Sequence, residues 1–269
     1  MGRVAYTRDD IDNAFNALPL AKGDVVFIHS NVGYFGRLRG AKSANDICAA
    51  IFASLQECIG SEGTIVVPTF TYTFSSEKIF DVDATSSKMG AFSEWVRKHP
   101  EAVRSADPFY SVAAIGRISE QMVQNISENS FGEDSFFARF YALKGKVLNL
   151  NFDGGSTFVH YVERQLNVPY RFDKKFSGTI RQSGVEREAK STIWVRYLSD
   201  DALEAAFEPF DRLARQTGKY VTVSLGRGTI GIISAEDIFS LIQETLPHRP
   251  YLLTKAEELG VENPKIIVE

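Results

Sequence analysis

Val25-Val26-Phe27-Ile28 and Thr64-Ile65-Val66-Val67 are two short apolar runs rich in β-branched residues, with a helical pattern between them. The first follows the turn residues Lys22-Gly23-Asp24 and Pro68 stops the second, so each reads as a strand buried on both faces. Between them Ser43 can cap a helix whose apolar positions Ile47, Ile51 and Leu55 recur at helical spacing until Gly60 ends it. Strand, helix and strand within about forty residues make a βαβ unit, which demands parallel pairing under a helix.

Toward the N-terminus, Thr7 can cap a helix through Ile11, Phe15 and Leu18, with Asp9 and Asp10 in its first turn and Pro19 as the stop. Downstream, Thr69 to Lys88 is rich in Thr, Ser, Phe and Asp and shows no clean period. A structureless stretch of about twenty residues is uncommon inside a compact domain and usually serves function. Helical patterning returns at 90–98 and 119–126, Val147 to Phe152 is a third strand, and Thr157 to Leu166 is a helix. Ile193 to Leu198 alternates like a half-buried antiparallel strand, and Tyr220–Leu225 with Ile230–Ile233 frame a hairpin before a helix from Ser234 to Leu246. No linker, repeat or low-complexity stretch interrupts the chain. It reads as one domain over residues 1–269, an α/β/α sandwich around a mixed, largely parallel central sheet with an antiparallel C-terminal portion.

Of the 269 residues 44% are hydrophobic and 24% charged, which suits a folded globular chain. The net charge is −4, so no basic field is present to recruit nucleic acid or anionic lipid. No run approaches the roughly 18 apolar residues of a membrane span, and residues 1–6 hold no apolar signal segment. The two cysteines, Cys48 and Cys58, fit neither a disulfide framework nor a four-ligand zinc site. These features together lead us to expect a cytoplasmic protein.

Gly226-Arg227-Gly228-Thr229-Ile230-Gly231 spells a dinucleotide fingerprint in the wrong setting. That fingerprint needs a helix opening at once, whereas β-branched residues continue here, so a hairpin turn explains the glycines. There is no nucleophile elbow, no phosphate-binding Walker loop and no His-Glu-x-x-His. The four histidines, His29, His99, His160 and His248, show no metal-ligand spacing, and no metal is expected. Two of them sit in suggestive places. His29 ends the first strand, where parallel sheets collect ligands, and His160 stands three residues before Glu163 in the first turns of a helix. At that spacing both side chains can share a face and hydrogen-bond, which allows either an imidazole base oriented by a carboxylate or, on spacing alone the commoner case, a half-buried histidine bonded to a backbone carbonyl.

Several blocks in order resemble the aminoglycoside 3-N-acetyltransferase family. They are Phe27-Ile28-His29-Ser30-Asn31-Val32-Gly33, then Gly63-Thr64-Ile65-Val66-Val67-Pro68-Thr69-Phe70, and Met89-Gly90 leading to Arg104-Ser105, Asp107-Pro108 and Ser111. Phe131-Gly132 with Ser135 and Ala138-Arg139 follow, then Ser156-Thr157-Phe158-Val159-His160-Tyr161-Val162-Glu163, and finally Gly228 to Ala235. The similarity runs from about residue 20 to about 245. Two positions depart from it: Asp153-Gly154 stands where antibiotic-modifying members carry His-Asp, and Asp107 where the family has histidine. Segment 165–220 differs most.

The resemblance implies acetyl-CoA as donor, no metal, and direct transfer to an amine in a ternary complex. It makes His160 the general base, with Glu163 or Asp153 orienting it, and Thr69 or a backbone N–H near Ser30 meeting the thioester oxygen. CoA is expected along His29, Ser30, Asn31, Val32 and Gly33, with Arg37, Lys42 and Ser111. The acceptor is expected near Phe70, Tyr72, Asp107 and Thr157, where aromatic faces can stack on sugar rings. Given the departures, the first expectation for the acceptor is a nucleotide-linked amino sugar made for surface glycans, and the alternative is an aminoglycoside antibiotic. The remaining readings are an amidase or esterase using Ser30 or Ser156, and a non-catalytic sugar- or CoA-binding protein of the same fold. The partners are then acetyl-CoA and a small amine-bearing sugar, together with a homo-oligomeric copy of the chain.

Overall fold

The computed structural model describes residues 5–76 and 78–268, so the reading of residues 1–4 lies outside it. Its strands are β1 (Ala5–Tyr6), β2 (Val25–Ser30), β3 (Arg37–Leu38), β4 (Thr64–Pro68), β5 (Phe80–Asp81) and β6 (Val103–Arg104). They continue with β7 (Val112–Gly116), β8 (Lys146–Leu150), β9 (Arg171–Gln182), β10 (Val185–Arg196), β11 (Val221–Leu225) and β12 (Gly228–Ser234). The helices are α1 (Arg8–Asn16), α2 (Ala44–Ile59), α3 (Ala91–Arg97), α4 (Ser119–Val123) and α5 (Phe136–Ala142). The rest are α6 (Phe158–Gln165), α7 (Glu208–Gln216), α8 (Ala235–Thr245) and α9 (Lys255–Leu259).

Seven strands form the central sheet in the order β11-β12-β8-β2-β4-β7-β6. β2 pairs in parallel with β4 and with β8, while every other neighbouring pair in that sheet is antiparallel. The sheet is mixed, as expected, but parallel only across its three central strands rather than over most of its width. The cause is β7, which no pattern in the sequence announced. Its small residues Val112-Ala113-Ala114-Ile115 run back beside β4 and are flanked by turns.

Strand alternation sorts the core into two layers. Val26, Ile28, Ile65, Val67, Leu148 and Leu150 face the apolar sides of α1, α2 and α3. Val25, Phe27, Val66, Val112 and Val147 face α4 to α8. Helix starts follow their caps: Thr7 with Asp10 and Ser43 with Asp46 each form a reciprocal capping box. The glycine run at 226–231 begins as the two-residue β11–β12 turn at Gly226-Arg227 and continues into β12, with Gly226 at φ +56 and so close to Phe35 that a Cβ would sit 2.1 Å from its carbonyl oxygen.

A long hairpin lies outside this sheet. β9 and β10 pair along their whole length and turn at Ser183-Gly184, both at positive φ. The alternating segment read at 193–198 is only the last part of β10. The hairpin packs on a separate cluster of Phe74, Phe80, Val82, Phe109, Ile180 and Ile193, and β5 joins β9 in parallel. The 69–88 segment is therefore held rather than loose. It contains a short helical turn at Thr73–Ser76, and the Thr71 and Thr73 hydroxyls both donate to the Pro108 carbonyl, at 2.8 and 3.0 Å.

Candidate active site

β8 leads into α6 through a tight turn, and a buried amide shapes it. Asn149 is fully buried, and its Nδ2 donates to the carbonyls of Asp153 (2.5 Å) and Gly155 (3.3 Å). Asp153 takes the Gly155 N–H on its own carboxylate at 2.9 Å, and Asp211 takes the Gly154 N–H at 2.6 Å. The chain then enters α6 at Thr157, whose N–H points at Nε2 of His29 (3.4 Å) from the end of β2. The Nδ1 of His29 is shut off from solvent without a hydrogen-bond partner, and burial pulls its pKa down to about 4. His29 is therefore a neutral imidazole lying beneath the start of α6.

One helical turn onward, Nδ1 of His160 lies 2.6 Å from Oε2 of Glu163. The carboxylate has no exposed surface, while the imidazole keeps 14% of its own. Tyr170 donates its hydroxyl to Oε1 at 2.9 Å. Arg171 brings Nε to 2.9 Å from Oε2, off the line of its N–H, as an ion pair rather than a hydrogen bond. Burial alone would raise the Glu163 carboxyl, but Arg171, His160 and Tyr170 outweigh it and hold it below the usual range. Burial, reinforced by Arg171, holds His160 below the ordinary imidazole value despite Glu163. With the proton on Nδ1 directed at the carboxylate, the Nε2 lone pair is left free to accept a proton.

Of the two carboxylates considered as partner for His160, the geometry selects Glu163. Asp153 serves its own turn. The rings of Phe131 and Phe207 flank the imidazole, with centroids 6.1 and 5.8 Å away. An aromatic path continues outward from Phe131 to Tyr110 (4.9 Å), and from Tyr110 to Phe70 (5.0 Å) and Tyr72 (6.0 Å). Phe70 is buried and packs, whereas Tyr72 is 36% exposed and held at φ +56, a backbone conformation that side-chain-bearing residues seldom adopt.

Three expected site residues are engaged in hydrogen bonds within the protein. Thr69 and Ser111 are fully buried, their hydroxyls 3.0 Å apart, with Ser111 donating to the Thr69 carbonyl and Arg104 donating to both side chains. Both hydroxyls thus take part in a hydrogen-bonded clamp with Arg104 at the end of β4. Asp107 is buried too, accepting the N–H groups of Phe109 (2.8 Å) and Tyr110 (2.9 Å), so it builds the turn that presents Tyr110.

The loop after β2 is largely open at the surface. Asn31, Gly33, Arg37 and Lys42 are exposed, and a Cβ on Gly33 would meet nothing within 4 Å. The hydroxyl of Ser30 is buried without a partner at the edge of this loop, and Val32 packs into the core, leaving its backbone as its contribution. Arginine, lysine and free backbone amides are the donors that phosphate groups require. Sequence reasoning missed Tyr170, Arg171 and Asn149. Asn149, a lone amide within the otherwise apolar run 147–150, was the one signal available, while nothing local marked Tyr170 or Arg171.

An imidazole oriented by a buried carboxylate, with its second nitrogen open, can act as a general base in acyl transfer. The family model for aminoglycoside 3-N-acetyltransferase matches residues 27–247. An aminoglycoside N(3)-acetyltransferase IX of Micromonospora chalcea is 26% identical over 263 residues, covering 87% of this chain and 88% of that protein. A prophage-derived aminoglycoside N(3′)-acetyltransferase-like protein of Bacillus subtilis is 28% identical over 189 residues, covering 61% and 66%. Among solved structures, AAC-IIIb in a binary complex with CoASH superposes with a TM-score of 0.77 at 21% identity, covering 91% of this chain and 97% of that one. The chain belongs to the aminoglycoside 3-N-acetyltransferase family, and it is a CoA-dependent N-acetyltransferase with acetyl-CoA as its donor.

Proposed function

We propose that this enzyme acetylates an amino group of an aminoglycoside by direct attack, with His160 as general base and Glu163 holding it. The observation that carries the reading is the buried His160–Glu163 pair with Nε2 left open, in a chain whose family model spans the site. His160 Nε2 takes a proton from the attacking amine as the N–C bond to the acetyl carbon forms. The C–S bond breaks, and the departing thiolate recovers a proton as the base is reset. Loop residues 30–42 hold the CoA phosphates, and the aromatic path from Tyr110 to Tyr72 offers faces for the sugar rings.

The nucleotide-linked amino sugar is the weaker reading. It rested on Asp107, Asp153 and the divergence of segment 165–220, and the two aspartates have structural duties in turns that account for their presence. The relatives named here are aminoglycoside enzymes, and one similar structure, AAC-VIa, is described with sisomicin bound (TM-score 0.76, 22% identity, covering 91% of this chain and 98% of that one). The deciding experiment measures thiol release from acetyl-CoA against aminoglycosides and nucleotide-linked 4-amino sugars side by side. Release with aminoglycosides supports the proposal, and release with amino-sugar nucleotides alone overturns it.

A further inference from the structure

A histidine bonded to a buried carboxylate has a built-in tendency to become protonated, because imidazolium and carboxylate then form an ion pair. An enzyme that needs the histidine as a base at neutral pH must oppose that tendency. Here Glu163 is completely buried and has three partners at once: hydrogen bonds from His160 Nδ1 at 2.6 Å and the Tyr170 hydroxyl at 2.9 Å, and an ion pair with Arg171 at 2.9 Å. Arg171 itself is only 8% exposed. With Arg171 charged and Glu163 ionised, the buried group is neutral while the imidazole is neutral. Protonating His160 then places one uncompensated positive charge in a site with little solvent.

The other elements around the imidazole do not alter this balance. Phe131, ahead of α5, and Phe207, ahead of α7, present rings. On α6 itself Arg164 turns away to Asp173 at 2.8 Å, and near Phe207 the charged pair Glu208–Arg212 closes on itself at 2.8 Å. Tyr110 stands beyond Phe131 as a neutral phenol that burial keeps far from ionising.

We propose that Arg171, assisted by Tyr170, is a positioning residue that keeps His160 in its proton-accepting form at neutral pH by compensating the charge of Glu163. This deepens the reading of His160 as the base and rests on it. The two residues adjoin in sequence at the end of the α6–β9 connection and the start of β9, so the long hairpin is rooted in the active site.

The test follows the His160 ring protons by NMR across pH in wild type, Arg171→Gln, Arg171→Lys and Tyr170→Phe, with His160→Gln for assignment. In parallel, thiol release is measured at pH 6 and pH 8.5 with whichever amine is turned over. In Arg171→Gln the imidazole should titrate at higher pH, and the pH 6 rate relative to that at pH 8.5 should fall about tenfold. Arg171→Lys, which keeps the charge, should stay close to wild type. A folded Arg171→Gln variant that titrates like wild type overturns the proposal, and so does an Arg171→Lys variant that shifts just as far. Should the glutamine variant not fold, Tyr170→Phe decides. It removes one donor from Glu163 and should raise the titration, and an unchanged titration counts against the proposal. The NMR readout needs no acceptor, so an amine panel without turnover would refute the aminoglycoside reading while leaving this one standing.

Discussion

A Cβ added to Gly155 would lie 2.4 Å from the Cβ of Phe207, whose ring centroid is 5.8 Å from that of His160. The glycine therefore sets how closely the loop before α7 approaches the base. Gly155→Ala should push Phe207 back and disturb His160, lowering kcat at a stability cost of about 1–3 kcal/mol. Kinetics beside thermal unfolding checks this, and wild-type kcat in the alanine variant would show that the turn has room to spare.

His160→Ala should abolish transfer while leaving CoA binding intact, because the expected phosphate donors lie on the separate loop at 30–42. Calorimetric titration with CoA separates the two effects. Loss of CoA binding along with activity would recast His160 as structural.

Glu163→Gln removes the counter-charge of Arg171 and the acceptor for His160 Nδ1 together. Turnover should fall roughly 10²-fold, and the stranded buried arginine should cost about 3–5 kcal/mol of stability. Denaturant unfolding of the Gln variant measures the second figure. A variant as stable as wild type would mean that Arg171 finds another partner.

His29 carries a stability prediction. Its pKa is lowered to about 4 by burial, so between that value and the ordinary imidazole range the unfolded chain binds a proton that the folded chain refuses. Stability should therefore fall as the solution is acidified through that window. Replacing His29 by Leu should flatten this part of the curve, read by urea unfolding at several pH values. An equally steep curve in the Leu variant would assign the acid sensitivity elsewhere.

Arg104 donates to the Thr69 carbonyl, the Val82 carbonyl and the Thr85 carbonyl, joining both ends of the 69–88 segment to the edge of the sheet. Arg104→Met should raise amide exchange across that segment before it affects β2 or β8. Unchanged protection there would show that the apolar cluster under the hairpin suffices to hold it.

What the sequence revealed and what it hid have a common physical basis. β2 and β4 were readable because burial on both faces leaves an unbroken apolar run, and α1 and α2 because Thr7 and Ser43 cap them locally. His160 and Glu163 were readable because helix geometry alone brings residues three apart together. The hairpin was hidden because β9 and β10 lie outside the main sheet and carry charge along most of their length, which blurs the alternation. Arg171 and Tyr170 were hidden with it, since nothing local tells an arginine at a strand start that a carboxylate eight residues earlier awaits it. The partner of Thr69 and Ser111 was hidden for the same reason, since no local pattern shows that Arg104 donates to both hydroxyls.

The order of strands also governs how the molecule comes into being. β2, made from residues 25–30, finds its parallel neighbour β8 only at residues 146–150, and β8 is in turn covered by β12 at 228–234. Contacts so distant in sequence close slowly, and until they close the two-sided apolar strands have bare edges. A growing chain cannot complete its central sheet before β12, at residues 228–234, has been synthesised. Among the central strands β2 thus waits longest with an unpaired edge during synthesis, the interval in which a chain of this topology is most open to aggregation.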